Sequence, residues 1–255
     1  MAIDTHCHLN DEQFSDVDEI ISNLKTNNIT NAIIAGYNIE SSVSALEISK
    51  KSDILYCAVG FHPENESELK VGDLEKIAEM AKDEKVVAIG EIGLDYHYEP
   101  FDKERQKSLF IKQIELAITL KLPIVIHQRD CGMDVLEIVK KYHDKLVGIV
   151  LHCFSESVEM AREFVKLGCY ISFAGTLTFK NAKGLLDVAK IVPSELILSE
   201  TDSPYLAPQA FRGKRNEPKN VNCVVEKLAE LREVTIEEMT KQIEKNVHKV
   251  FFKIK

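Results

Sequence analysis

Eight short runs rich in valine, isoleucine and leucine recur along this chain, and longer amphipathic segments separate them from end to end. The runs are Ala2 to His6, Asn31 to Ala35, Leu55 to Val59, Val86 to Glu91, Pro123 to His127, Val147 to His152, Cys169 to Phe173 and Glu195 to Glu200. Between them, Lys103 to Leu120 places Leu109, Gln113, Leu116 and Leu120 along one helical face. Two closing helices are expected at about Val221 to Leu231 and Ile236 to Phe251. Eight strands alternating with helices over 255 residues is the arithmetic of an α/β fold, a (β/α)8 TIM barrel forming a single domain over residues 1–255. The rival, a doubly wound open sheet, would carry a glycine-rich turn after its first strand, and here that turn reads HLNDEQF.

Polar residues punctuate the ends of these apolar runs. His6 and His8 stand two apart at the first, so on a strand both rings point to one face. Asp4 shares that parity one step deeper and is expected to orient a ligand histidine. Glu91 ends VVAIGE, and a carboxylate closing an apolar strand is costly to bury unless paired or ligated. His127 ends PIVIH and His152 ends GIVLH, two near-duplicate contexts. A single such histidine is more often a satisfied core residue than a ligand, but two in parallel strands are not. Asp202 follows ELILSET, with Glu200 at the same parity as a candidate orienting partner. Four histidines and two acids at the carboxyl ends of strands form the donor set of a divalent-metal site, with room for two ions, where a barrel builds its active site. Glu91 suits a bridge between ions, and Asp202 a ligand that also takes a proton from the attacking water.

His62, in GFHPEN after the third run, sits at the expected mouth and is read as a substrate or leaving-group contact. His97, His143 and His248 fall in polar contexts and read as surface residues. The irregular stretch from Tyr205 to Asn222, rich in Pro, Lys and Arg, is expected to lie over the mouth.

Net charge is −9, from 32 basic and 41 acidic side chains, which argues against a protein that coats nucleic acid nonspecifically. It leaves room for a phosphodiester held at a local positive site, which two divalent ions would create. No stretch is apolar enough to span a bilayer and no signal pattern opens the chain, so a cytoplasmic protein with no membrane partner is expected. The six cysteines form no CxxC pair, and a disulfide framework is not expected. Cys7 and Cys153 neighbour candidate ligands, yet by strand alternation should point away from the site.

In order, DTHCHL, GFHPEN, IGEIGLDY, LPIVIHQRD, LHCFS, SETDSPYLAP, RGKRNEP and NVHKVF resemble the TatD family of metal-dependent deoxyribonucleases, over Ile3 to Phe252. The resemblance implies a TIM barrel with two divalent ions that hydrolyses ester bonds, most often phosphodiesters in DNA. It implies His6, His8, Glu91 and Asp202 as ligands of one ion, and Glu91, His127 and His152 as ligands of the other. His62, Asp95, Arg129 and the RGKRNEP segment, including Arg212, Lys214, Arg215 and Lys219, match positions lining the family's substrate pocket. Arg129 suits a phosphate clamp. One departure is Glu156, which stands after LHCFS where the family usually has glycine.

The leading expectation is a monomeric nuclease, without an obligate protein partner, that trims single-stranded DNA from its 3′ end. The alternative is hydrolysis of a carboxylic ester or amide, such as D-aminoacyl-tRNA, since a fold does not dictate its substrate. Glu91 at the fourth strand, where many amidohydrolase relatives bridge metals with a carboxylated lysine, leans toward the nuclease. A scaffold that has lost catalysis is disfavoured because none of the six ligands is missing. Histidine-rich ligation favours zinc, manganese, cobalt or nickel, with magnesium able to serve at a weaker position.

Overall fold

The strands form where β-branched residues cluster, and the computed structural model, which describes residues 1–255, joins them in one parallel sheet ordered β1 to β8 without exception. They are β1 (Ala2–Cys7), β2 (Ile29–Ala35), β3 (Leu55–Val59), β4 (Val86–Asp95), β5 (Ile124–Arg129), β6 (Ile149–Leu151), β7 (Tyr170–Phe173) and β8 (Ile197–Ser199). Every residue of β1, β3, β4, β6, β7 and β8 is buried. Such two-sided burial explains why these runs are continuously apolar rather than alternating.

Helices alternate with the strands: α1 (Val17–Asn23), α2 (Ile39–Ser49), α3 (Asp73–Met80), α4 (Lys103–Leu120) and α5 (Gly132–Tyr142) cover the first part. Then follow α6 (Val158–Lys166), α7 (Lys183–Ile191), α8 (Val221–Arg232) and α9 (Ile236–Val250). Their ends follow local chemistry. Asp102 accepts from the Arg105 amide to start α4, and Thr235 with Glu238 forms a reciprocal capping box at α9. The expected helix from Lys103 to Leu120 is found at those bounds. No helix is long and apolar enough to cross a membrane.

The barrel closes between β1 and β8 by side chains as much as by backbone. The Asp202 amide donates to the His6 carbonyl at 2.9 Å and the His8 amide to the Ser203 carbonyl at 2.7 Å. Thr5 Oγ1 donates to Ser199 O, and Ser199 Oγ returns a bond to Ile3 O.

Most strand ends lie within two residues of the sequence reading, and β4, β6 and β8 differ most. β4 runs on to Asp95, because Gly93 at φ +146° lets the backbone pass His127, whose carbonyl oxygen would lie 2.0 Å from any Cβ there. β6 and β8 are shorter than expected, and His152 and Asp202 lie beyond them on irregular backbone. Cys153 at φ +43° and Asp202 at φ +54° break the alternation from which their directions were inferred.

Candidate metal centre

The carboxyl ends of β1, β4, β5, β6 and β8 bring the six candidate ligands together with His62. In β4 the register shifts between Ile89 and Ile92, and the Glu91 amide donates to Gly36 O, at the end of β2, past the neighbouring β3. A bulge of this kind re-aims a side chain. Glu91 is 4% exposed and divides its two oxygens between two groups of histidines.

Around Oε2, His6 Nε2 lies at 3.4 Å and His8 Nε2 at 3.6 Å. Asp202 Oδ1 completes this group, 3.7 Å from His6 and 3.3 Å from His8, whose ring nitrogens are 3.2 Å apart. These five spacings centre on ~3.4 Å, the separation of donors that each lie about 2.1 Å from one divalent ion, the bond length to histidine nitrogen or carboxylate oxygen. Around Oε1, His152 Nε2 lies at 2.8 Å, His127 Nδ1 at 3.0 Å and His62 Nε2 at 3.5 Å.

Hydrogen bonds on the far side of each ring settle which nitrogen faces inward. His127 Nε2 donates to Asp95 Oδ2 at 2.8 Å, His152 Nδ1 to Glu200 Oε1 at 3.3 Å and His8 Nδ1 to Ala35 O at 3.3 Å. In the neutral form these three rings turn a lone pair toward a carboxylate oxygen, an opposition of acceptors that a metal ion or a ring proton relieves. Burial pulls His62 down to about 3, and neighbouring His127 pulls it the same way. Burial would push Glu91 up, but His152, His62 and His6 outweigh it and hold the carboxyl well below its usual range. The same holds for Asp202, where neighbouring His8 overturns the effect of burial. Ionised carboxylates with inward lone pairs fit divalent cations.

A cleft of about 960 Å³ opens above these atoms, and Arg129 lines it with its guanidinium 4.9 Å above the Tyr98 ring. Asp95, expected as a substrate contact, is 2% exposed and serves as the partner of His127. His62 lies beside Glu91 rather than at the rim: its Nδ1 accepts from the Glu64 amide at 3.2 Å, which leaves the hydrogen on Nε2, 3.5 Å from Glu91 Oε1. Glu200 occupies the orienting position expected of it, bonded to His152 Nδ1 and to the Cys153 amide.

Several expectations are corrected. Arg215 is not in the cleft: it forms a bidentate pair with Asp16 (2.7 Å at both nitrogens) and stacks on Phe14, because α1 offers it a carboxylate. Lys219 is likewise held by Glu217. Asp4 touches no histidine ring; it accepts from the His6 amide and from Thr201 N and Oγ1, bracing the β1–β8 seam. Cys153 does line the cleft, since its left-handed backbone ends strand alternation. Cys7 points away as expected, toward Ile33 O. Glu156 does not line the cleft; its carboxylate lies against Gly132, where a Cβ would be 2.7 Å from Oε1, at the favourable N-terminal end of α5. His97 and His248 are exposed as expected, and His143 is half-buried outside the cleft. The sequence reading did not single out Tyr37, Phe179 and Tyr205, which also line the cleft. They lie in loops after strands, where an aromatic with no helical partner is the available signal.

An α/β barrel with a buried cluster of histidines and carboxylates at its carboxyl mouth defines a class, the metal-dependent hydrolases built on TIM barrels. A family model described as TatD related DNase matches residues 3–252. The chain is similar to the uncharacterized metal-dependent hydrolase YabD of Bacillus subtilis, 43% identical across 98% of this chain and 99% of that one. YcfH of Escherichia coli K12, described in the same terms, is 36% identical over 98% and 95% of the two chains. The crystal structure of YjjV, a TatD homologue from E. coli K12, superposes with a TM-score of 0.93 at 30% identity, over 98% of each chain. The chain belongs to the TatD family of metal-dependent hydrolases.

Proposed function

We propose that this protein is a two-metal phosphodiesterase that removes nucleotides from the 3′ end of single-stranded DNA. In this reading His6, His8, Glu91 and Asp202 would hold one divalent ion, and His127 and His152, with the other oxygen of Glu91, would hold a second. When bound, such ions acidify a coordinated water and neutralise phosphate charge. Asp202, whose side chain is 15% exposed at the edge of the cluster, accepts the proton of the water that attacks phosphorus. The bond from phosphorus to the leaving oxygen then breaks, and that oxygen takes up a proton from solvent water. Arg129 holds a non-bridging oxygen of the diester, and Asp95 and Glu200 keep His127 and His152 from rotating.

The observation that carries the phosphodiester reading is Arg129 itself. It stands at the cluster with no carboxylate partner, stacked on Tyr98 and free to meet an anion. A cleft of about 960 Å³ is the size of a small-molecule site and suits a strand end more than the flank of a duplex.

Digestion of 3′-labelled and 5′-labelled single-stranded DNA with magnesium, manganese or zinc tests this, with EDTA and Glu91→Ala as controls. Stepwise shortening from the 3′ end is expected with metal, and a loss of about 10³-fold or more in Glu91→Ala, since both groups of donors share that carboxylate. Intact DNA after incubation with protein shown to hold its metals would sink the proposal. Release of amino acids from D-aminoacyl esters would then replace it.

A further inference from the structure

The wall of the cleft formed by the loops after β7 and β8 differs from the rest of the mouth. Phe179, Ala182, Leu185 and Leu206 line it and are each half-buried, leaving an apolar recess beside the metal cluster. Arg212 lies over the Phe179 ring at 4.4 Å, its side chain exposed and without a carboxylate partner. Stacking holds a guanidinium flat and leaves its donors free.

The charge of this wall is opposite to that of the molecule. Gly175 to Lys183 and Tyr205 to Lys214 contain Lys180, Lys183, Arg212 and Lys214 and no acid, in a chain of net charge −9. None of the four is in an ion pair, whereas the next basic residues, Arg215 and Lys219, are held by Asp16 and Glu217. Two acids also line the cleft, Glu64 from the segment after β3 and Asp11 from the segment after β1, where it accepts from Tyr205 Oη at 2.6 Å.

The two loops pack directly against each other. Gly175 packs so closely on the second loop that a Cβ would lie 2.2 Å from Leu206 O. Thr178 Oγ1 donates to Gly175 O and accepts from the Gln209 amide, both at 2.7 Å.

We infer that this block is a nucleotide-binding ledge. A base of single-stranded DNA packs in the Phe179 recess, Arg212 takes the adjoining phosphate, and the strand leaves across Lys180, Lys183 and Lys214. A flat aromatic recess beside unpaired cations is what a stacked, polyanionic strand requires. The ledge rests on the nuclease reading, which concerns the chemistry below it, and is tested by binding rather than turnover.

The probe is a fluorescein-labelled ten-base thymidine oligonucleotide with phosphorothioate linkages to slow cleavage, titrated into metal-loaded protein and read by anisotropy. Phe179→Ala and Arg212→Ala each raise Kd about tenfold, whereas Phe179→Tyr keeps it within about twofold and shows that the loop still folds. On the same oligonucleotide with abasic residues at its two 3′ positions, Phe179→Ala changes Kd less than about twofold, because the coupling partner is gone. Lys180→Glu with Lys183→Glu flattens the dependence of log Kd on log salt by about one unit. Equal losses on intact and abasic strands, unchanged Kd in all variants, or no binding by the wild type would each overturn the ledge. Base-dependent binding by a metal-loaded protein that cleaves no ordinary DNA keeps the ledge and removes the nuclease.

Discussion

The metal floor and the β7–β8 ledge lie side by side in one cleft, yet they are built on opposite principles. On the floor, Glu91, His6 and His152 are 4% exposed or less and sit at strand ends in a dense set of partners. Each ring that carries a far-side bond spends it on orientation, as His127 does on Asp95 and His152 on Glu200. On the ledge, Phe179 is half-buried, Arg212 is exposed, and a hydrogen bond from the Gln209 amide to Thr178 Oγ1 joins the loops. The difference teaches a division of labour. Atoms that must surround a cation to within tenths of an ångström belong on rigid elements, while contacts that select a strand tolerate loops.

That contrast can be broken at the arginines first. Removing a charge-assisted contact costs about 1.5–3 kcal/mol, so Arg129→Ala is expected to lower kcat/KM on single-stranded DNA about 10–100-fold. Arg215→Ala, which only frees Asp16, should leave it within about twofold. Steady-state kinetics of both variants decide, and equal losses would mean that the Tyr205–Asn222 loop contributes a contact its resting geometry conceals.

The floor's orientation bonds come next. Asp95→Asn and Glu200→Gln are expected to weaken metal binding about 10–100-fold, the usual cost of disturbing an outer partner of a metal-bound imidazole. Metal content after dialysis against graded chelator measures it. Phe179→Ala, a change on the ledge, should leave that content unaltered, and a loss there would erase the distinction between the two regions.

The smallest effect concerns the loop between β4 and α4, which carries Tyr98. Tyr96 Oη and Lys107 Nζ each donate to Asp134 at 2.8 Å. Lys107 foremost, then Tyr96, hold Asp134 below its usual range against the opposing effect of burial. A carboxyl depressed in the folded state adds stability above its unfolded pKa and loses it as pH falls through the folded one. The contribution is therefore complete at neutral pH and fades on acidification below about pH 4. Melting temperature against pH should fall less steeply there in Asp134→Asn than in the wild type. An unchanged slope would show that the brace carries no linkage.

Much of this was legible in the residues. Eight valine- and isoleucine-rich runs, each followed by a helix, leave few topologies open, and β3 and α4 begin and end where the pattern places them. The ligand set was legible for a related reason, since polar side chains closing apolar runs must meet something that offsets their burial. What could not be read lies where alternation stops. Cys153 and Asp202 have left-handed backbone, and β4 continues past Glu91 because Gly93 admits the carbonyl of His127. Arg129 and Arg215 look alike in sequence, and only the position of Asp16 on the loop before α1 separates them.

The sequence by itself determined the barrel, the metal-binding character of its mouth and the membership of its family, because periodicity and residue chemistry are local properties. Tertiary structure decided which oxygen of Glu91 faces which histidines, that His62 stands beside Glu91, and that Asp95 backs His127. It also decided that four cations of an acidic chain share one loop block. Those relations depend on distances between residues far apart in the chain, and only closure of the barrel sets such distances.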